Sequence, residues 1–155
     1  MSIIITQAQI PWIIARIAYP YRAHFKRNDF VRSIIGKFAK GEQLRIVTDH
    51  VMTPTFIDDI AQGLMTLIMK EETGIFHLVG SQPITPYNAA ENIADVFGFD
   101  KELITKTTRE EFFKKRAQRP FRLALKNDKI TGLGIRMRDF REGLQEIKSQ
   151  MQIKT

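Results

Sequence analysis

Arg119 followed by Pro120 is a residue pair whose chemistry is easy to state. A guanidinium fork donates two parallel hydrogen bonds to phosphate oxygens. The proline biases the residue before it toward extended backbone. A surface salt bridge would use the same side chain, and the residue types leave both uses open. The pair lies in a basic stretch, Lys106 to Lys126, with eight Lys or Arg against two Glu. Such a stretch serves as a solvated basic face, a site for a nucleotide-sugar pyrophosphate, or a nucleic-acid contact. No DNA-reading motif is visible.

Other reactive side chains are scattered. His24, His50 and His77 are far apart in sequence, and His77 alternates with Phe76 and Leu78 as in a strand, which points to a structural or solvent-facing role. Asp49-His50 offers two members of a hydrolase triad, but no nucleophile elbow accompanies them. Asp58, Asp59 and Asp95 lack metal-cluster spacing, and helix capping and solvation account for them. No metal site is expected. Gly132-Leu133-Gly134 follows an expected helix and continues into no GxGxxG, so it reads as a helix stop rather than a phosphate cradle.

The chain has 155 residues, 43% of them hydrophobic and 26% charged, with a formal net charge of +7 and no cysteine. That length suits one domain with a real core. The lack of cysteine excludes disulfide scaffolds, thiolate zinc sites and cysteine nucleophiles. The positive charge favours anionic partners. No apolar run approaches the roughly 20 residues that span a bilayer. The first residues have no basic region followed by a long apolar one, so no signal peptide is expected. A cytoplasmic protein without membrane contact is the expectation.

The elements that must position these residues alternate. Ile10 to Ala18 reads as a strand buried on both faces, with Arg16 meeting carbonyls or a carboxylate in the core. A helix capped by Asn28 or Asp29 carries Phe30, Val31, Ile34, Ile35 and Phe38 and ends at Gly41. Leu44 to Val47 is a short strand. Thr53-Pro54 opens a second helix, with Phe56, Ile57, Ile60, Ala61, Leu64, Leu67 and Ile68 on one side. Ile75 to Val79 is a strand. Thr85-Pro86 opens a helix that turns Tyr87, Ala90, Ile93, Ala94 and Phe97 inward and stops at Gly98. A short strand at Leu103 to Lys106, a charged helix near Thr108 to Arg116, an irregular segment at Arg119 to Leu125 and a short helix from Asp128 to Leu133 follow. Asp139 caps a last helix. Four short strands make a small, mainly parallel α/β sheet with packed helices.

Four segments carry a family resemblance: IPWIIARIAYPY from Ile10, LRIVTDHVMTPTFIDDIAQGL from Leu44, GIFHLVGSQPITPYNAAENIADVFGF from Gly74 and AQRPFRLALKNDKITGLGI from Ala117. Together they resemble the C-terminal, substrate-side half of extended short-chain dehydrogenase/reductases, most closely the dTDP-4-dehydrorhamnose reductase family. The resemblance runs from about Ile10 to Ile147. Val47, Asp49, Pro54 and Thr55 match that family's VxDQxGxPT, and Asp59-Ile60-Ala61 its Asp-Leu-Ala. Gly74, His77, Leu78 and Gly80 match its GxxHLxG. Arg119 and Pro120 match its substrate-side Arg-Pro. His50 stands where glutamine is usual, Met52 where a small residue is, Arg122 where asparagine is, Leu125-Lys126 where Leu-Asp is, and Tyr21-Arg22 where aromatic-Gly is.

The resemblance implies the C-terminal part of a Rossmann-like fold, a single substrate-binding domain over residues 1–155 with the dinucleotide-binding half absent. It implies substrate contacts at Arg119, Pro120 and Thr55 and cofactor contacts at Tyr19 and Pro20. Relatives transfer a hydride from NADPH or NADH to the 4-keto group of dTDP-6-deoxy-L-lyxo-4-hexulose, with a Tyr-x-x-x-Lys pair as proton donor. No tyrosine here has lysine four residues on, and no glycine-rich turn is present. The expectation is a truncated reductase with no catalytic residue and no cofactor of its own, silent alone and binding a nucleotide-sugar weakly. The apolar first strand further implies self-association or a partner chain completing the sheet. An alternative is a non-catalytic module resembling the regulatory subunit of methionine adenosyltransferase. A basic nucleic-acid binder is a more distant one.

Overall fold

The computed structural model describes residues 10–114 and 122–152. It is α/β, and its named strands pair in parallel. There are eight strands among the described residues: β1 Ile13–Arg16, β2 Pro20–Tyr21, β3 Leu44–Val47, β4 Val51–Met52, β5 Thr55–Phe56, β6 Gly74–His77, β7 Ile104–Thr107 and β8 Arg122–Leu123. They form four two-stranded ladders, β1 with β6, β2 with β5, β3 with β7 and β4 with β8. One small sheet of four strands was the expectation. Half of the observed strands are two residues long, too short to show any periodicity in sequence. The segment expected to be irregular after Arg119 therefore includes a strand, because Arg122 and Leu123 align with Val51 and Met52.

Helices α1 Phe30–Phe38, α2 Ile57–Met69, α3 Pro86–Phe97, α4 Arg109–Phe112, α5 Asp128–Gly132 and α6 Phe140–Gln152 connect the strands. Their caps follow the sequence signals. Asp29 accepts from Arg32 N at 3.0 Å and pairs with the Arg32 guanidinium. Thr85 Oγ1 accepts from Asn88 N at 3.1 Å, Pro86 takes the first helical position, and Gly98 closes α3 in the left-handed region. Asp139 and Glu142 satisfy each other's N–H groups, at 2.8 and 3.0 Å. That reciprocal arrangement is a capping box.

Helix α2 starts later than Thr53-Pro54 suggested. Thr55 and Phe56 are drawn into the ladder with Pro20 and Tyr21, so helical geometry begins only at Ile57. The inward stripe also differs from the apolar pattern. Asp59, Gly63 and Leu67 are buried, while Met65, Ile68 and Met69 are exposed. Asp59 therefore does not sit in solvent; it is 3% exposed and pairs with Arg138.

Two cores lie within the chain. The larger gathers Tyr21, Val31, Leu44, Phe56, Ile93 and Phe140 from several elements. Tyr21 meets Phe140 edge-on at 5.4 Å between centroids, while Phe30 stacks on Phe140 at 6.0 Å, both favoured aromatic geometries. The smaller joins Leu67 of α2 and Ile130 of α5 to Phe76 and Leu78 around β6. Strand β1 is not buried on both faces, as its sequence suggested. Ile13 and Ile14 are half-buried, Ala15 and Arg16 are exposed, and Ile10 and Ile17 flank them exposed. Arg16 is thus not a core arginine. Strand β1 has one partner, β6, among the described residues.

Candidate functional site

The site forms where the chain leaves β1. Thr55 Oγ1 donates to Ala18 O at 2.8 Å, and Thr55 N donates to Tyr19 O at 3.2 Å. Thr55 is fully buried, and its hydroxyl also accepts from Gly80 N at 3.1 Å. These bonds pin Tyr19 from behind, with its φ at +44°. Tyrosine rarely takes that region, and it persists only where surroundings enforce it. Gly80 itself must be glycine: a Cβ there would lie 2.2 Å from Pro54 O.

Tyr19 Oη lies 2.9 Å from His50 Nε2, and His50 is buried. The strand before His50 is anchored on its neighbour, Thr48 N donating to Thr107 O at 3.0 Å. Asp49 Oδ1 accepts from Arg109 N at 2.7 Å, which fixes the start of α4 over the same end of the ladder. A cavity of about 290 Å³ opens beside the phenol–imidazole pair. Phe30, Ile34, Ile46, Val47, Met52 and Phe113 supply much of its apolar wall, with Ser33 and Arg45 among its polar residues. Arg45 is paired with Glu111, whose carboxyl is held below its ordinary value by the Arg45 hydrogen bond and then by Thr107. A second cavity of about 310 Å³ is lined by Ile17, Ala18, Tyr19, Leu123, Ala124 and Leu125. Thr53 Oγ1 donates to Leu125 O at 3.4 Å behind it. Tyr19 faces both cavities.

Below the site lies a buried polar cluster. Asp59 accepts from Arg138 N at 2.7 Å and from the Arg138 guanidinium, which lies over the Phe56 ring. Burial, then Asp59 and Asp139, push the Tyr21 phenol far above its ordinary range, so it stays neutral. Among the described residues no group of three His, Asp or Glu is placed to hold a metal ion. No helix among them is long and apolar enough to cross a membrane.

Of the residues singled out in sequence, Tyr19 lies at the centre and Thr55 directly behind it. Pro20 is exposed on β2, opposite Thr55. Arg119 and Pro120 lie outside the described residues. His77 Nδ1 is 3.1 Å from Lys126 O, a structural tie, and His24 is 3.3 Å from Gln150 O near the surface. Sequence reasoning missed His50 and Met52 as cavity residues. The available signal was their departure from the pattern of the family the chain resembles.

Parallel ladders flanked by helices, with two cavities at the exit from β1, give an α/β architecture shared with Rossmann-like extended short-chain dehydrogenase/reductases. The model of the RmlD substrate binding domain matches residues 3–153, and the chain belongs to that family. It is 29% identical over 119 residues to the spore coat polysaccharide biosynthesis protein SpsK of Bacillus subtilis, covering 77% of this chain and 41% of that protein. The probable low-salt glycan biosynthesis reductase Agl14 of Haloferax volcanii is 27% identical over 123 residues, with the same two coverages. Among solved structures, a dTDP-4-dehydrorhamnose reductase from Clostridium acetobutylicum superimposes with a TM-score of 0.78 at 30% identity, covering 91% of this chain and 49% of that one. The Bacillus anthracis reductase in complex with NADP gives a TM-score of 0.80 at 22% identity, covering 89% of this chain and 48% of that one, a likeness of fold. The chain thus spans somewhat under half the length of these relatives.

Proposed function

We propose that this chain binds a nucleoside diphosphate-linked hexose as the substrate-binding portion of an NAD(P)-dependent sugar-nucleotide reductase. The observation that carries the reading is the apolar cavity beside Tyr19 and His50. Its walls suit a flat heterocycle, and the phenol–imidazole pair offers that ring a polar handle. Family membership supplies the sugar nucleotide as ligand class. Arg119, followed by Pro120, holds the diphosphate oxygens through its guanidinium fork. Thr55 acts from behind, by fixing Ala18 and Tyr19. Tyr19 and Pro20 are the positions set against the cofactor. No glycine-rich turn in this sequence fits a dinucleotide pyrophosphate, so the chain alone does not hold NADPH tightly.

Calorimetry with dTDP tests this. Binding is expected, and Ser33→Trp, which closes the mouth of the first cavity, weakens it. Arg119→Ala removes a charge-assisted bidentate contact worth about 1.5–3 kcal/mol, roughly tenfold or more in Kd. No heat of binding from the wild-type chain, or equal affinities for wild type and both variants, would refute the reading.

A further inference from the structure

Tyr21 and Ala23 are buried, and the chain then turns outward between β2 and α1. His24 to Asn28 are five exposed residues in a row. Within them the Phe25 ring is 63% exposed. A lone exposed ring needs no explanation by itself, but the backbone beneath this one is built to hold it out. Arg32 Nη1 donates to Phe25 O at 2.7 Å, and the same guanidinium donates to Arg27 O. Arg32 Nε donates to Asp29 Oδ2 at 2.9 Å, and Arg22 N donates to the same oxygen at 3.4 Å. His24 Nε2, 3.3 Å from Gln150 O, ties the loop to the last turn of α6. The stretch from Arg22 to Arg27 holds three Lys or Arg and no acid. Asp29, the next acid, is occupied by Arg32. Among the described residues Arg22, Lys26 and Arg27 enter no ion pair. The Arg22 guanidinium lies 5.9 Å from the centre of the Phe25 ring.

Five exposed residues in a row make a convex tip, which offers a peptide neither a groove nor a strand edge. An apolar ring among uncompensated cations instead matches a surface with anions outside and hydrocarbon just beneath. That is the make-up of an anionic lipid bilayer. We propose that the loop from Arg22 to Arg27 docks this chain reversibly on an anionic lipid surface. Phe25 enters the boundary between headgroups and acyl chains, and Arg22, Lys26 and Arg27 meet the lipid phosphates. Such a contact needs no spanning helix. The net charge of +7 draws the chain toward the surface from further away. The loop acts apart from the cavities beside Tyr19, so the contact stands or falls independently of the sugar-nucleotide reading.

The test is sedimentation of the full chain with vesicles of phosphatidylcholine, alone and mixed with phosphatidylglycerol. The chain is expected to partition onto the mixed vesicles and not onto the neutral ones, and less as salt rises. Lys26→Gln and Arg27→Gln each weaken partitioning about fivefold. Phe25→Ala leaves the charge unchanged and weakens it about tenfold, whereas Phe25→Trp retains it. Lys70→Gln removes an exposed cation at the end of α2, away from the loop in sequence, and has a smaller effect than either loop cation. Circular dichroism on each variant separates lost binding from lost folding, and the comparison of the three cations decides if Phe25→Ala fails to fold. No partitioning of the wild type onto the mixed vesicles, or equal partitioning onto the neutral ones, overturns the proposal. Partitioning unaltered by Phe25→Ala, or lowered equally by Lys26→Gln, Arg27→Gln and Lys70→Gln, is attraction of the basic chain as a whole and overturns it too.

Discussion

At the scale of single residues, the glycine-histidine motif from Gly74 to Gly80 has a steric explanation. Gly80 is buried against the carbonyl of Pro54, and a methyl group there would meet backbone oxygen at 2.2 Å. Backbone cannot swing aside as a side chain can. Its N–H also feeds Thr55, which pins Tyr19. Gly80→Ala is therefore expected to destabilise the fold by at least about 1–3 kcal/mol, the usual cost of overpacking. Urea denaturation followed by circular dichroism measures it, and an unshifted midpoint would show that the Pro54 loop relaxes freely. Such residues were legible as a motif, while the contact behind the motif was not. Asp59 shows the opposite case. Its sequence position, near a helix start, suggested solvated charge, and only the distant Arg138 explains why a carboxylate is buried there. His50 was legible only as a departure, because the partner that makes it meaningful, Tyr19, lies 31 residues away.

At the scale of elements, helices were easy to read and short strands were not. A helix announces itself through a cap, a repeat of 3.6 and a stop, all local in sequence. Thr85-Pro86 with Gly98, and Asp139 with Glu142, are such local signals and appear as expected. Two-residue ladders such as β4 with β8 carry no local signal at all. They exist because distant segments meet, and they moved the start of α2 from Pro54 to Ile57. The capping box of α6 gives a direct test. Asp139→Ala removes the acceptor for Glu142 N and typically costs about 1 kcal/mol. In a chain of this size that lowers Tm by roughly 2–4 °C. Asp139→Asn keeps an acceptor and should lose less. Equal losses from alanine and asparagine would mean that the charge of Asp139, not its cap, stabilises this end.

At the scale of the whole molecule, one edge of β1 has no partner strand among the described residues. The carbonyls of Trp12 and Arg16 both accept from the β6 side, from Gly74 N at 2.8 Å and Leu78 N at 2.9 Å. Alternation along a parallel ladder then turns the backbone groups of Ile13 and Ala15 to the opposite edge. No described strand pairs with that edge, and exposed Ile10 and Ile17 flank it. An unpaired apolar edge is a template for another strand. A second copy of this chain can offer the same edge in return, antiparallel about a twofold axis, which closes the assembly at a dimer. The net charge of +7 opposes that contact, so the dimer should strengthen as salt screens the repulsion. Light scattering over a concentration series, at low and high salt, is expected to show mass rising toward twice that of the monomer. Ala15→Pro removes the N–H on the open side while leaving the bonds to β6 in place, and it should shift the chain back to monomer. Circular dichroism confirms that this variant remains folded. A wild-type chain that stays a compact monomer at every concentration and salt would show that the edge of β1 is already closed, and association would then have to be sought at the exposed Met65, Ile68 and Met69 of α2 instead.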